Sequence, residues 1–133
     1  MTFPAVSGGG LQTRAANSGE PLLFAQGAET AYTDVATLKA ADLMAGIITF
    51  NNGAGKNLTL PLATDLDAAL TNAQNANIAF DFFVIGLGAG TATVVTNTGW
   101  TTTGALTTAQ NTATHYRVRR TGTAAYTLYR IAG

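Results

Sequence analysis

The most apolar stretch of the sequence reads Ile78-Ala79-Phe80-Asp81-Phe82-Phe83-Val84-Ile85. Alternate positions place Phe80 and Phe82 on one face of a strand, and the other face is also largely apolar. A strand that is apolar on both faces is typical of the middle of a β-sandwich or of a contact between subunits. We therefore expect both phenylalanines to be buried in the core of a β protein.

Shorter strands are predicted on both sides of this stretch. Ile47–Phe50 and Asn57–Leu60 flank the turn-forming residues Asn51–Gly55, and the three segments together predict a hairpin. Further strand-like segments follow at residues 91–96, 101–108, 113–119 and 125–131. About seven short strands with closely spaced turns predict a mainly β fold, with an antiparallel β-sandwich or jelly-roll-like body.

One short helix is predicted within this body, at Thr64–Ala73. Thr64 is suited to cap it, and Asp65 and Asp67 fall in the first turn, where the helix dipole favours negative charge. The segment Asp34–Ala45 has a weaker pattern and is expected to give a turn or two of helix. Gly46 would end that helix in the usual left-handed conformation.

The first 32 residues show no clean period and are predicted to form an extended N-terminal arm, followed by a single β domain over residues 33–133. A frayed terminus is the alternative, but the arm carries more large apolar side chains than a solvated tail needs. These candidate interface residues, expected to contact another subunit or a partner protein, are Phe3, Leu11, Leu22, Leu23 and Phe24.

The composition indicates a surface that is covered by partners. Charged residues make up 11% of the chain and the formal net charge is zero, whereas soluble domains average about 25% charged residues. The chain contains 23 Thr and 25 Ala, and Thr favours strands while keeping an outer face polar without charge. We therefore expect a homo-oligomer.

The same composition excludes several classes of partner and site. The chain has no Cys, so it has neither a disulfide framework nor a cysteine metal site. No run of about 18 apolar residues is present, so no membrane span is expected. The neutral net charge disfavours nucleic acid as the main partner. No group of acidic residues has the spacing of metal ligands, and we expect no metal.

No catalytic or cofactor motif is recognisable, and we expect no enzymatic activity. His115 is the only His, and Ser7 and Ser18, the only Ser residues, lie in the N-terminal arm, so no nucleophile–base–acid set can be assembled. The glycine run Gly86–Gly90 has the wrong spacing for a dinucleotide motif and precedes a strand rather than a helix. Gly53–Lys56 lacks the Ser or Thr of a phosphate loop and is interpreted as a turn.

Arg117, Arg119 and Arg120 are predicted to form one basic patch, joined by Arg130 across the last hairpin. The patch is either a solvated strand face or a surface that pairs with acidic residues of another subunit. Nucleic acid is the weakest interpretation, because no aromatic platform accompanies the arginines. Arg117 and Arg119 are retained as candidate interface residues.

From Gly46 onward, the order of these segments resembles a β-rich structural domain of tailed bacteriophages. The resemblance rests on the helix at Asp65–Leu70, on the strand that contains Phe80, and on five stretches: Leu43-Met44-Ala45-Gly46-Ile47-Ile48, Leu58-Thr59-Leu60-Pro61, Val94-Val95-Thr96-Asn97-Thr98-Gly99, Tyr116-Arg117-Val118-Arg119-Arg120-Thr121-Gly122 and Tyr126-Thr127-Leu128-Tyr129-Arg130. It covers roughly two thirds of the chain and leaves out the N-terminal arm. The family implies a virion protein, commonly a trimer, with no catalytic residues.

Two structural roles follow from this resemblance. The first is a capsid decoration (cement) protein that binds the major capsid protein on the outside of the shell and stabilises it. The alternative is a tail-fibre or spike subunit involved in host attachment. Trp100 is its candidate glycan-binding side chain, although a Trp in a turn is equally expected to pack in a core or an interface. A short chain favours the first role, because fibre domains usually follow a long stalk.

Overall fold

The structure, a computed structural model, describes residues 19, 21, 23–71 and 75–133. This part of the chain contains ten strands and two short helices, so the predicted mainly β fold is confirmed. The elements in chain order are β1 (Thr30–Tyr32), β2 (Ala36–Thr37), α1 (Ala40–Ala45), β3 (Ile47–Phe50), β4 (Lys56–Thr59), α2 (Ala63–Ala69), β5 (Ala79–Gly86), β6 (Ala92–Val95), β7 (Trp100–Thr103), β8 (Thr107–Thr108), β9 (Ala113–Gly122) and β10 (Ala125–Ala132).

The first six strands alternate between two sheets. The large sheet has the order β1-β3-β5-β9-β10-β7, and the small sheet has the order β2-β4-β6-β8. Within them β1, β3 and β5 are parallel neighbours, as are β2, β4 and β6. Ile48 pairs with Val84 in the large sheet and Leu58 with Val94 in the small one. The chain therefore winds through this half in coils, as in a parallel β-helix.

The second half of the chain is mostly antiparallel. Strand β9 pairs antiparallel with both β5 and β10, and β8 pairs antiparallel with β6, while β7 runs parallel to β10 at the sheet edge. The predicted antiparallel sandwich or jelly roll is not confirmed, because five of the eight strand pairs in the described residues are parallel.

The predicted hairpin of residues 47–60 is wrong, although both of its strands exist. Strand β3 lies in the large sheet and β4 in the small one, so Asn51–Gly55 carries the chain around a corner between sheets. The later glycine run packs directly against this corner. A Cβ on Gly88 would lie 2.5 Å from the backbone nitrogen of Asn52, and the Gly90 amide donates to the Asn52 carbonyl at 2.8 Å. Glycine is needed there for close approach of two backbones.

Both helices are short, and both lie where helix is expected: α1 within the weaker segment Asp34–Ala45, and α2 near the predicted helix Thr64–Ala73. Helix α1 ends at Gly46 as expected, with φ of 93° and the Gly46 amide bonded to the Asp42 carbonyl. Helix α2 begins at Ala63, and its N-cap residue, Leu62, makes no side-chain hydrogen bond. The predicted Thr64 cap is therefore wrong, because Thr64 lies inside the helix. No helix in the described residues is long and apolar enough to cross a membrane.

The N-terminal arm ends earlier than predicted. Residues 30–32 form strand β1 and pair with β3, whereas residues 23–29 form no helix or strand. Behind β1, the buried Asp42 carboxylate accepts hydrogen bonds from the Lys39 amide and from the Tyr32 hydroxyl. These bonds connect the first strand of the large sheet to helix α1.

The two sheets and both helices contribute to one hydrophobic core. Phe82 is fully buried as predicted and stacks on Tyr116, while Phe80 is half-buried at the edge of the core. The opposite face of β5 is less buried than predicted, since Phe83 is 39% exposed. The fully buried large side chains are Leu38, Leu43, Ile48, Phe50, Leu58, Leu60, Leu66, Phe82, Val84, Tyr116, Tyr126 and Leu128.

Candidate interaction surfaces

The outward side of the large sheet carries a group of interacting polar and aromatic side chains, which we call the large-sheet outer face. Its members are Asp81 and Phe83 on β5, His115, Arg117 and Arg119 on β9, and Tyr129 on β10. They are adjacent because Asp81 pairs with Arg117, Phe83 with His115, and Arg117 with Tyr129 in the strand register. The strand pairing thus brings residues that are distant in sequence onto one surface.

Asp81 is the centre of this face. Its Oδ1 accepts from Nε of Arg117 at 2.7 Å, and its Oδ2 accepts from Nη2 of Arg117 at 3.0 Å and lies 2.8 Å from Nε2 of His115. The fork-like bond from Arg117, with a smaller contribution from His115, lowers the pKa of Asp81 to about 2 against the opposing effect of burial. Asp81 is therefore a stable anion at neutral pH.

An apolar strip borders this ionic cluster. The Phe83 ring stacks on His115 with the ring centroids 4.5 Å apart, and Ile47 is its neighbour in the register on the other side. Ile85, two residues further along β5, is partly exposed on the same face. Large apolar side chains beside satisfied ion pairs are typical of protein-binding surfaces.

The structure places the predicted interface residues Arg117 and Arg119 side by side on this face, with partners from their own chain. Arg119 donates from Nε to the Tyr129 hydroxyl at 2.9 Å and from Nη1 to the Asn77 side chain at 2.8 Å. Its guanidinium also lies 5.7 Å from the centre of the Tyr129 ring. Because Arg117 is bonded to Asp81, an acidic partner from another subunit is not needed to neutralise it.

Arg120 does not belong to the predicted basic patch. It is 6% exposed and points to the inner side of the sheet, where Nε and Nη2 donate to the Asp67 carboxylate at 3.0 and 3.2 Å. The predicted membership is wrong because Arg120 still lies within strand β9, and alternation places it on the same side as Val118. This period-two signal was available in the sequence.

Asp67 joins helix α2 to the last hairpin rather than serving the helix dipole. Besides Arg120, it accepts from the Ala124 amide at 2.7 Å and from the Tyr126 hydroxyl. The bonds from Arg120, Tyr126 and Ala124 hold the pKa of Asp67 well below its usual range, against the opposing effect of burial. Burial, followed by the bond to Asp67, raises the pKa of Tyr126 to about 12. No sequence pattern distinguishes Asp67 from Asp65.

An apolar pocket opens above this network, with a volume of about 270 Å³. It lies between the two helices and the start of β5, and it is lined by Met44, Leu70, Ile78, Ala79, Phe80, Arg120 and Tyr126. Met44 and Ile78 are 48% and 37% exposed. No local sequence pattern predicts this pocket, because its residues come from five separate places in the chain.

The described part of the N-terminal arm exposes its apolar residues. Leu23 and Phe24 are 75% and 83% exposed, while Phe3, Leu11 and Leu22 lie outside the described residues. Gln26 attaches the segment to the body by donating from Nε2 to the Ala45 carbonyl at 2.6 Å. Two consecutive apolar side chains are thus solvent-exposed next to the end of α1.

Trp100, the candidate glycan-binding residue, is buried. Its indole Nε1 donates to the Pro61 carbonyl at 2.7 Å, and its ring lies 5.4 Å from that of Tyr126. A 7% exposed indole offers no stacking surface to a sugar. Trp100 is therefore a part of the hydrophobic core.

Comparison of the chain with family models, curated proteins and solved structures gives no match. The function is therefore inferred from the residues and their geometry.

Proposed function

We propose that the protein is a capsid decoration (cement) protein of a tailed bacteriophage, which binds the major capsid protein on the outer shell as a homotrimer and stabilises the shell. The proposed role is binding, without catalysis, metal or cofactor. The sequence patterns quoted above from Gly46 onward suggest this family, and the low proportion of charged residues is consistent with a surface covered by partners.

The observation that carries the proposal is the construction of the large-sheet outer face. Asp81 and Arg117 are already paired within the chain, so covering them leaves neither of these two charges without a partner. Arg119 is hydrogen-bonded to the neutral side chains of Asn77 and Tyr129. The apolar strip of this face, with Phe83 39% exposed, supplies surface that is stabilised when water is removed. These two properties suit permanent attachment to another protein better than reversible binding of a small polar ligand.

Attachment of this kind would stabilise a shell by mass action. A protein that binds the assembled shell and not its dissociated subunits shifts the equilibrium toward assembly in proportion to its affinity and concentration. A trimer can contact several shell subunits at once, and linked contacts bind more tightly than any one of them alone. No reaction chemistry is needed for this role.

The proposal is tested with capsids that were assembled without the protein. We expect the purified protein to sediment with these capsids, and Phe83→Ser to weaken binding by about tenfold or more. Val35→Ser is the matched control, because Val35 is also an exposed apolar residue but lies between β1 and β2. Circular dichroism checks that both variants are folded. Absence of binding to capsids, or equal binding by the two variants, contradicts the proposal.

A tail-fibre or spike subunit is the second candidate, favoured by the coil-like winding of β1 to β6. Coiled β architectures extend along one axis, as an elongated fibre requires. Immunogold labelling of purified phage particles separates the two roles. Label on the capsid supports decoration, whereas label confined to the tail supports the fibre.

A further inference from the structure

We propose that the exposed pair Leu23–Phe24 of one copy docks in the apolar pocket of a second copy of the chain. The inference rests on the homo-oligomer that is part of the proposed function, and it adds the contact that joins neighbouring copies. It starts from two apolar surfaces that are both solvent-exposed in the single chain.

The pocket suits an apolar side chain of a protein better than a small molecule. Its volume of about 270 Å³ is at or below the smallest small-molecule sites, which start at about 300 Å³. The polar groups at its wall, Arg120 and the Tyr126 hydroxyl, are already bonded to Asp67. A polar ligand would therefore gain little there, whereas an aromatic or aliphatic anchor would cover Met44 and Ile78.

The position of the Leu23–Phe24 pair indicates the occupant. Gln26, two residues after Phe24, is held at the carbonyl of Ala45, the residue after Met44 of the pocket wall. Leu23 and Phe24 thus leave the body beside the pocket, but they remain 75% and 83% exposed rather than filling it. In an oligomer, the Leu23–Phe24 pair of one copy is brought to the pocket of the next copy.

A contact of this kind joins two different surfaces of the same chain. Such head-to-tail contacts form a closed ring when the rotation between copies is one third of a turn, which gives a trimer. Each copy then contributes its Leu23–Phe24 segment to one neighbour and its pocket to the other, so that both apolar surfaces are covered in every copy. The homotrimer expected from the sequence is consistent with this arrangement.

The absence of cysteine from the chain allows a direct test by cross-linking. Phe24→Cys is mixed with Met44→Cys under conditions that allow subunits to exchange, and a short bismaleimide is added. Leu87→Cys replaces Met44→Cys in the control, because both native side chains are 48% exposed and Leu87 lies after β5, outside the pocket. We expect the Met44→Cys mixture to give about tenfold more cross-linked dimer than the Leu87→Cys mixture, because docking raises the local concentration of the two thiols.

The double variant Phe24→Cys/Met44→Cys distinguishes contacts between copies from contacts within one copy. Cross-linked dimers and trimers on a denaturing gel support the inference, whereas an internally cross-linked monomer overturns it. Equal yields from the Met44 and Leu87 mixtures also overturn it.

Light scattering separates failure of this contact from failure of the oligomer itself. We expect Leu23→Ser/Phe24→Ser to weaken self-association by about tenfold or more, with Leu87→Ser as control. A wild-type trimer that is unaffected by the double substitution overturns the docking contact alone. A wild-type monomer at all concentrations overturns both the contact and the proposed trimer, while capsid binding is assessed independently.

Discussion

At the scale of single residues, two buried tyrosines have opposite hydrogen-bonding states. Tyr116 and Tyr126 are both almost inaccessible to solvent. The Tyr126 hydroxyl bonds to Asp67, whereas the Tyr116 hydroxyl makes no hydrogen bond of acceptable geometry among the described residues. The hydroxyls of Thr108 and Thr114 lie close enough to influence the pKa of Tyr116, but they are bonded to each other at 2.7 Å. A buried hydroxyl without a partner loses its bonds to water and gains nothing in exchange.

We therefore predict opposite effects for the same substitution at these two positions. Tyr116→Phe should raise the free energy of unfolding by about 1 kcal/mol, because it removes an unsatisfied group and keeps the ring that packs on Phe82. Tyr126→Phe should lower it by about 1.5–3 kcal/mol, because a bond to a charged carboxylate is lost. Urea denaturation measures both. Destabilisation of similar size in both variants would show that the Tyr116 hydroxyl is bonded.

The arginines illustrate how far single residues can be predicted from the sequence. Alternation within the predicted strand at 113–119 is enough to place Arg117 and Arg119 on the face opposite Val118, as the structure has them. Arg120 falls just beyond that predicted strand, whereas β9 continues to Gly122. The acidic partners of Arg117 and Arg120 lie 36 and 53 residues away in the sequence. Such partners depend on strand register and helix placement, and local patterns do not encode them.

At the scale of elements, most strands could be predicted but their pairing could not. The segments Ile47–Phe50 and Asn57–Leu60 correspond closely to β3 and β4. Turn-forming residues between them show only that the chain changes direction, and a corner between two sheets has the same residue types as a hairpin. The parallel pairs join residues far apart in sequence, such as Ile48 and Val84, so no short-range signal exists for them.

The register of β5 is tested by two adjacent phenylalanines. Phe82 is fully buried and Phe83 is 39% exposed on the opposite face. We predict that Phe82→Ala lowers the free energy of unfolding by about 3–5 kcal/mol, because it leaves a cavity in the core. Phe83→Ala should cost about 1 kcal/mol or less, since its side chain is only partly removed from water. Equal losses in reversible urea unfolding, or the reverse order, would mean that the strand faces are assigned wrongly.

The attachment of helix α2 to the last hairpin is tested by two aspartates of the same helix. Asp67→Ala should lower the free energy of unfolding by about 3 kcal/mol, because it leaves the buried guanidinium of Arg120 without its carboxylate partner. This value is the low end for a broken buried ion pair, since the Asp67 side chain is 20% exposed. Asp65→Ala should cost less than about 1 kcal/mol, since Asp65 is exposed and interacts mainly with the helix dipole. Thermal unfolding of the two variants provides the comparison. Equal melting temperatures of the two variants would show that the hydrogen bonds of Asp67 do not hold helix α2 to the last hairpin.

At the scale of the whole molecule, the shifted pKa values define the pH range of stability. The pKa of Asp81 is lowered from 3.8 to about 2 in the folded protein, and that of Asp67 is also lowered. The unfolded chain therefore binds protons more readily, so the stabilisation is complete above about pH 4 and is lost as the pH falls toward about 2. For Tyr32 and Tyr126 the pKa is raised from 10.0 to about 12, so their contribution is lost as the pH rises from about 10 toward 12.

We therefore predict a broad stability plateau with losses at both ends. Melting temperatures measured from pH 2 to pH 11 should fall below about pH 4 and above about pH 10. In Asp81→Asn the acid-side decrease should be smaller, because one of the titrating groups is gone, while the alkaline side should be unchanged. An acid-side decrease of the same size in Asp81→Asn would contradict the assignment to this carboxylate.

The winding of β1 to β6 has a consequence for how such a chain can change length during evolution. Each turn of the winding presents the same backbone edge to the next one, so an inserted turn would pair with its neighbours as the existing ones do. One additional turn would lengthen the body by about 4.8 Å, the spacing between neighbouring strands. The hairpin β9–β10 would still cover the last turn. Homologues with insertions or deletions of whole turns could therefore share the same ends and differ only in height.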